Sequence, residues 1–392
     1  MDTIIIFFNI QLPEGSAAAT RAVAWGQLFK AAGYSPVLLG VNYNKEDIIE
    51  GYYKNIPYYL INFLELQNKG LKSIKRNNIL RKKVSAFINE LNKKVTIKAI
   101  VLGNPEYEVK WLLKEKRLTG IPVIPDVVEW YDFSRFTGPF AIYKFLKNRI
   151  TLRYWNVQCR NLICISTLLE KYYKGRKCNV IRIPTILNTQ DFLADLNAYD
   201  SSERIVIAYA GSPAKKDLIL NIVKAIACLS KEERRKVQLN IYGTSLEGFR
   251  RLGLDEKILN SLGESLKCFG RVSHSEVKRQ LAVADYTILL RPNKKYANAG
   301  FPTKVGESMA MGVPVIANIT SDLGKYLHDG IEGIVCDDES PEACAKAIRK
   351  ALSIDESHRK MMRKNARRQA EESFDYRNYI KLVQMYIEGI IR

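Results

Sequence analysis

The chain has 392 residues, 47% of them hydrophobic and 26% charged, and its 61 Lys+Arg against 41 Asp+Glu give a net charge of +20. That length predicts two or so domains, each able to bury its own core, and no apolar run approaches the ~18 residues of a membrane span, which excludes a membrane-embedded class. Seven scattered cysteines without CxxC spacing and three isolated histidines argue against zinc and against a disulfide framework, and point to reduced thiols in a cytoplasmic protein.

The opening MDTIIIFFNIQLPEG lacks a basic leader, so Ile4 to Phe8 reads as a first strand and not as a signal peptide. The loop NIQLPEGSAAAT leads into an amphipathic helix from about Arg21 to Ala32, closed by Gly33 and followed by the strand SPVLLGV. Two basic clusters, 69–94 and 143–155, interleave apolar and aromatic residues at helical spacing. Further strands are expected at 96–103, 121–128, 161–166 and 179–184. Residues 1–195 hold 29 Lys+Arg and 16 Asp+Glu, so most of the positive excess lies in the first half. An anionic membrane surface, nucleic acid or plain solvated helix faces would each suit it; with no helix-turn-helix, RNP motif or zinc finger, nucleic acid is disfavoured and peripheral membrane contact is the better functional reading. The polar stretch 185–204 places a linker at 191–203, between a domain 1–190 and a domain 204–372.

The second half restarts with a strand at 204–211, a helix at 217–229, a strand at 237–243, a short strand near LKCFGRV and another at Tyr286 to Leu290. A polar loop then runs into GFPTKVGESMAMGVPVIA, residues 300–317. Pro302 suits the first helical position, Gly312 a positive-φ cap, and Val313 to Ala317 a buried parallel strand. Strand, loop, helix, strand is the grammar of a doubly wound α/β domain, whose ligands bind outside the carboxyl ends of strands. The free N–H groups of such a helix favour an anion such as a diphosphate; Lys304 would add charge, and Glu307, one turn on, could accept two ribose hydroxyls. The alternative is an exposed i,i+3 ion pair worth about 0.3 kcal/mol. There is no Asp-x-Asp pair for a metal-bound nucleotide.

FPTKVGESMAMGVPVIA and GKYLHDGIEGIVCDDESPEACAKAI, preceded in order by GSAAATR, ICIS, VIRIPTILNTQDF and IAYAGSPAKKDLILNIVKAI, resemble GT-B glycosyltransferases, specifically the family 4 group of retaining enzymes that build bacterial surface polysaccharides. The resemblance implies an α/β fold of two Rossmann-like doubly wound domains facing across a cleft. FDYRNYIKLVQMYIEGI is similar to the family's last helix, so residues 373–392 are expected to cross back onto the first domain. The resemblance also implies that Glu307 binds the donor ribose and that Lys216, or Lys215, neutralises the diphosphate. Gly211 and Ser212 would admit the phosphates, with Gly243, Gly300, Phe301, Pro302, Thr303 and Lys304 completing the donor site. Gly15 and Ser16, with Arg21 and Asp132, would form the acceptor-side loop, and Asp126 and Glu129 in PDVVEWYDF would orient sugar or acceptor from a strand's end. Two positions depart from the family pattern: Ala299 stands where a glutamate near the transferred sugar is common, and Ser212 where an arginine is usual, leaving Asn298, Gly300 and Phe301 as substitute sugar contacts.

The chemistry implied is transfer of a sugar from a UDP- or GDP-linked donor to a saccharide or polyprenyl-diphosphate-linked acceptor in capsule, O-antigen or exopolysaccharide synthesis. It would proceed with retention and without metal or other cofactor, Lys216, Lys304 and a helix N-terminus stabilising the departing phosphate. A cytoplasmic enzyme, peripheral at the inner face of the cell membrane, is expected. A GT-B-shaped sugar-nucleotide epimerase, or a non-catalytic carbohydrate- or nucleic-acid-binding protein, are the alternatives.

Overall fold

The apolar run Thr3–Phe8 is strand β1, buried along its whole length at the middle of an eight-stranded sheet. The structure, a computed structural model, describes residues 2–42, 48–62, 72–106, 108–133, 138, 140–192, 204–211 and 216–391. The other strands of the first sheet are β2 (Ser35–Asn42), β3 (Ile48–Tyr53), β4 (Ile56–Asn62), β5 (Ile97–Gly103), β6 (Val123–Val127), β7 (Asn161–Cys164) and β8 (Asn179–Arg182), in the order β3-β4-β2-β1-β5-β6-β7-β8. Only β3 runs antiparallel to its neighbour. The β3–β4 hairpin lies outside the strands expected from the sequence; its signal is Asn55, which with Lys54 takes positive φ (59° and 51°) in a two-residue turn.

Both faces of this sheet are covered, which is why its strands read as continuous apolar runs. On one face helix α1 (Ala17–Ala31) contributes Ala22, Trp25, Leu28 and Phe29 to a core completed by Val383, Tyr386 and Ile387 of the last helix, Ile380–Ile391. On the other face helix α2 (Lys72–Lys94) inserts Leu80, Val84 and Ile88, beside Val109, Trp111 and Leu112 of helix α3 (Glu108–Thr119). The chain end thus returns to the first sheet, where the Tyr386 hydroxyl lies 2.9 Å from the carbonyl of Leu162.

The second sheet is parallel throughout: β9 (Ile205–Ala210), β10 (Val237–Tyr242), β11 (Leu266–Cys268), β12 (Tyr286–Leu289), β13 (Val315–Asn318) and β14 (Gly333–Cys336), in the order β11-β10-β9-β12-β13-β14. The chain divides into one unit of Met1–Leu187 with Tyr376–Arg392 and a second of Asn188–Asp375. Of the expected linker, Asp191 and Phe192 fold with the second unit and the remainder lies outside the described residues. The second unit closes on itself where Asp375 accepts hydrogen bonds from the Thr189 backbone (3.1 Å) and hydroxyl (2.5 Å). Among the described residues no helix is long and apolar enough to cross a membrane.

Candidate functional site

In the second sheet the chain moves outward from β9 through β10 and β11, then returns to lay β12 on the other side of β9. The carboxyl ends of β9 and β12 therefore flank the switch point at which doubly wound domains bind ligands. Tyr209 and Gly211 stand at the end of β9, and the loop after β12 leads into the helix Thr303–Ala310. That helix is short because its end is built to stop. Gly312 takes φ 68°, its N–H donates to Met309 O (2.9 Å), and Val313 N donates to Ser308 O (3.0 Å), a Schellman closure. Pro302, expected inside the helix, instead occupies the position just before it, with φ −76° and ψ 91°.

Lys304 projects from the first turn of this helix toward β9. Its ammonium is ion-paired with Asp217, lies 3.2 Å from the Tyr209 hydroxyl, and sits 4.5 Å from the Tyr209 ring centroid. The Tyr209 hydroxyl donates to Asp217 Oδ2 at 2.9 Å. Burial, reinforced by the Asp217 charge, holds the Tyr209 phenol far above its usual range, so it remains a neutral donor. A side chain at Gly211 would collide with the Lys304 ammonium and approach the Tyr209 hydroxyl to 3.0 Å, so glycine is what lets the lysine lie over the strand end. Glu307 is half-buried one turn further on. Burial raises its pKa above the ordinary value, and the charges of Lys278 and Lys304 pull it back part of the way.

Several predicted donor residues have other work. Phe301 is buried against Tyr326 and Phe374, with ring centroids 5.6 Å from each, so it anchors the loop from below and does not present a ring to a sugar. Asn298 is engaged within the loop, donating to Asn293 Oδ1 (2.8 Å) and accepting from Ser321 N (2.7 Å). Ala299 and Gly300 are buried beside it, and Thr303 opens the helix half-buried. Gly243, at the end of β10, takes φ 112° and donates its N–H to Gly270 O at 2.6 Å. Lys216 is half-buried immediately before Asp217, whereas Ser212 and Lys215 lie outside the described residues.

In the first unit two expectations are corrected. Arg21, assigned to the acceptor-side loop, is buried within α1, and Asp126, expected to reach a cleft, is completely buried in β6. They meet as a bidentate pair, Nε to Oδ2 at 2.7 Å and Nη2 to Oδ1 at 2.8 Å, with Trp25 Nε1 donating to Oδ2 at 2.9 Å and Arg21 Nη1 to Pro184 O at 2.7 Å. Both oxygens of Asp126 are thus occupied, and the pair fastens α1 to the sheet. Ser16 caps α1 by accepting from Ala19 N at 3.1 Å, after Gly15 at φ 98° in an exposed turn. Glu129 lies beside Tyr131, whose phenol it helps hold above the usual range after burial, and Asp132 is half-exposed.

Residues 195–369 match the model described as Glycosyl transferases group 1. The matched stretch makes up most of the second unit. A curated relative, an uncharacterised glycosyltransferase of Methanocaldococcus jannaschii, is 24% identical over 190 residues, which are 48% of this chain and 46% of that protein; the matched stretch thus spans under half of the relative's length. Among solved structures, the sucrose-phosphate synthase of Thermosynechococcus elongatus superposes with a TM-score of 0.74 at 16% identity, covering 100% of this chain and 99% of that one. A glycosyltransferase of Rickettsia africae gives 0.70 at 16% identity over 99% of each chain, and Anabaena HepE in complex with UDP-glucose 0.65 at 14% identity, also over 99% of each. These likenesses carry the fold, an α/β chain with two parallel-sheet domains of the GT-B type.

Within the matched stretch 195–369 the structure brings Gly211, Lys304 and the start of the 303–310 helix together at the switch point. Sequence reasoning missed Tyr209, Asp217 and Lys278 as members of this neighbourhood. Asp217 is the neighbour in sequence of the candidate Lys216; Tyr209 and Lys278 had no signal, because nothing local marks a strand-end tyrosine or a lysine on the separate helix His274–Ala282.

Proposed function

We propose that the protein is a glycosyltransferase that moves a sugar from a nucleoside-diphosphate donor to the hydroxyl of a saccharide or lipid-linked saccharide in surface polysaccharide synthesis. The observation that carries this reading is the placing of Lys304 and Glu307, one helical turn apart, at the switch point of the stretch that matches the group 1 model. Glu307 would accept the two ribose hydroxyls. Lys304, released from Asp217, and Lys216 would face the diphosphate. As the bond from the anomeric carbon to the β-phosphate oxygen breaks, charge develops on that oxygen, where two ammonium groups stabilise it. The acceptor hydroxyl forms the new bond and passes its proton to the departing phosphate, so the reaction needs no separate carboxylate base; this same-face course yields retention. Fixed lysine cations do the neutralising that a divalent ion does elsewhere, so we propose metal-independent transfer. That HepE was solved with UDP and with UDP-glucose makes UDP the first nucleotide to try.

The test is a thermal shift of wild type and Glu307→Ala with UDP, GDP, ADP and CMP, with and without magnesium. At a hundredfold excess over Kd, binding stabilises by about 2.7 kcal/mol. A magnesium-independent shift with one diphosphate, lost in Glu307→Ala, is expected; no shift with any nucleotide overturns the reading.

A further inference from the structure

Helix α4 (Ala141–Ile150) and the π-helical turn Thr151–Trp155 that continues it are amphipathic in the wrong sense for a core element. The single buried residue of α4 is Asn148, and the next inward contact is again polar, the Thr151 hydroxyl donating to Glu106 O at 3.0 Å. Leu152 is buried and Trp155 packs against the core, but Ile142, Tyr143, Leu146, Ile150 and Tyr154 point the other way, each half or more exposed. Ile142, Leu146 and Ile150 follow one another at four-residue steps, so they form one outward stripe, with Tyr143 and Tyr154 alongside. By the same geometry Arg149 and, one turn on, Arg153 lie at one edge of the stripe and Lys147 at the other, while Lys144 falls on the Asn148 side. No Asp or Glu occurs from Phe133 to Leu169.

The other basic helix differs. In α2 the apolar residues Leu80, Val84 and Ile88 are buried in the core, so among its described side chains the apolar stripe faces inward. Both helices look equally fit for a membrane in the sequence, and burial separates them.

We infer that the outward face of α4 and its π-helical turn docks on an anionic lipid bilayer, inserting Ile142, Leu146 and Ile150 at the headgroup boundary while the flanking lysine and arginines meet lipid phosphates. An apolar stripe bordered by cations and interfacial tyrosines is the pattern of a helix lying in the membrane surface. Charge complementarity favours lipid over a second copy of this chain, because two such faces would set three cations against three with no carboxylate between them. The apolar stripe also has no role on a nucleic-acid backbone. The inference deepens the lipid-linked acceptor reading and takes its purpose from it, but docking is read without turnover, so the two fail separately.

The full chain is sedimented with vesicles of phosphatidylglycerol and phosphatidylcholine, or of phosphatidylcholine alone. Wild type is expected to partition onto the anionic vesicles only. A Leu146→Asp/Ile150→Asp variant is expected to lose at least about tenfold in partitioning at low salt, and Arg149→Gln/Arg153→Gln to release at lower salt than wild type. Both variants should keep the wild-type Tm, since the changed side chains are exposed. Wild type remaining in the supernatant, equal binding to neutral vesicles, or a Leu146→Asp/Ile150→Asp variant that sediments like wild type overturns the inference. So does a wild-type dimer that this variant dissociates, which would make a second copy the occupant.

Discussion

At the scale of single residues, the second unit holds a carboxylate that burial keeps partly reluctant to ionise and a lysine already held by another carboxylate. Because the folded pKa of Glu307 is raised, its contribution to stability is present below the unfolded value of ~4.5 and is lost as pH rises through the folded one. Glu307→Gln should therefore raise the Tm of the nucleotide-free protein near neutral pH. Nucleotide binding has the opposite sign: ribose hydroxyls donate to the ionised form, so UDP affinity should fall as pH drops through the raised pKa, and the Gln variant should show weak, flat binding. Calorimetric titration with UDP between about pH 4 and 8 checks both arms. Asp217 holds Lys304 and repels a diphosphate, so Asp217→Asn should tighten UDP binding a few-fold by freeing the ammonium and removing the like charge. A loss of UDP affinity in Asp217→Asn would mean instead that the carboxylate positions Lys304 for the ligand.

At the scale of elements, two devices hold the sites in place. The helix Thr303–Ala310 ends on Gly312 at φ 68°, a conformation that opposes a Cβ, so Gly312→Ala should destabilise the second unit by about 1–2 kcal/mol in urea unfolding followed by UDP-protected proteolysis. Strand β6 and helix α1 are joined by Asp126 and Arg21. Asp126→Asn leaves the guanidinium buried without its counter-charge and should cost about 3–5 kcal/mol. All four tryptophans (25, 111, 130, 155) belong to the first unit, so intrinsic fluorescence reads this loss without interference from the second. Unchanged stability with abolished turnover would return Asp126 to the chemistry. The strand ends, the Gly312 stop and the Lys304–Glu307 spacing were legible in the chain because each depends on a few adjacent residues. The β3–β4 hairpin was harder to read because its alternation is interrupted by glycine, proline and tyrosines on both faces.

At the scale of the whole molecule, the last seventeen residues belong to the unit in which the chain began. Val383, Tyr386 and Ile387 complete the core against α1, and at about 1.5–3 kcal/mol for each fully buried apolar side chain their removal approaches the entire stability of a domain. A chain ending at Asp375 should lose its cooperative tryptophan transition while the second unit keeps its UDP-dependent protection from proteolysis. Survival of the transition would show that the first unit folds without its returning helix.

The sequence by itself determined the alternation of apolar strands with amphipathic helices, the doubly wound class and the short helix bearing Lys304 and Glu307, because hydrophobic period, proline, glycine and i,i+3 spacing act over one or two turns. Tertiary structure alone decided which charged residues are available. Arg21 and Asp126 are 105 positions apart, and Asp217 and Lys304 are 87 apart; each pair exists only because the fold packs a helix against a distant part of a parallel sheet. Burial then sets their roles, since an aspartate with both oxygens bonded in a core cannot serve as a base, and a lysine facing a carboxylate must be released before it meets a phosphate. The same rule separates α2 from α4: an apolar stripe has the same spacing whether it meets a sheet or solvent, and only the fold says which.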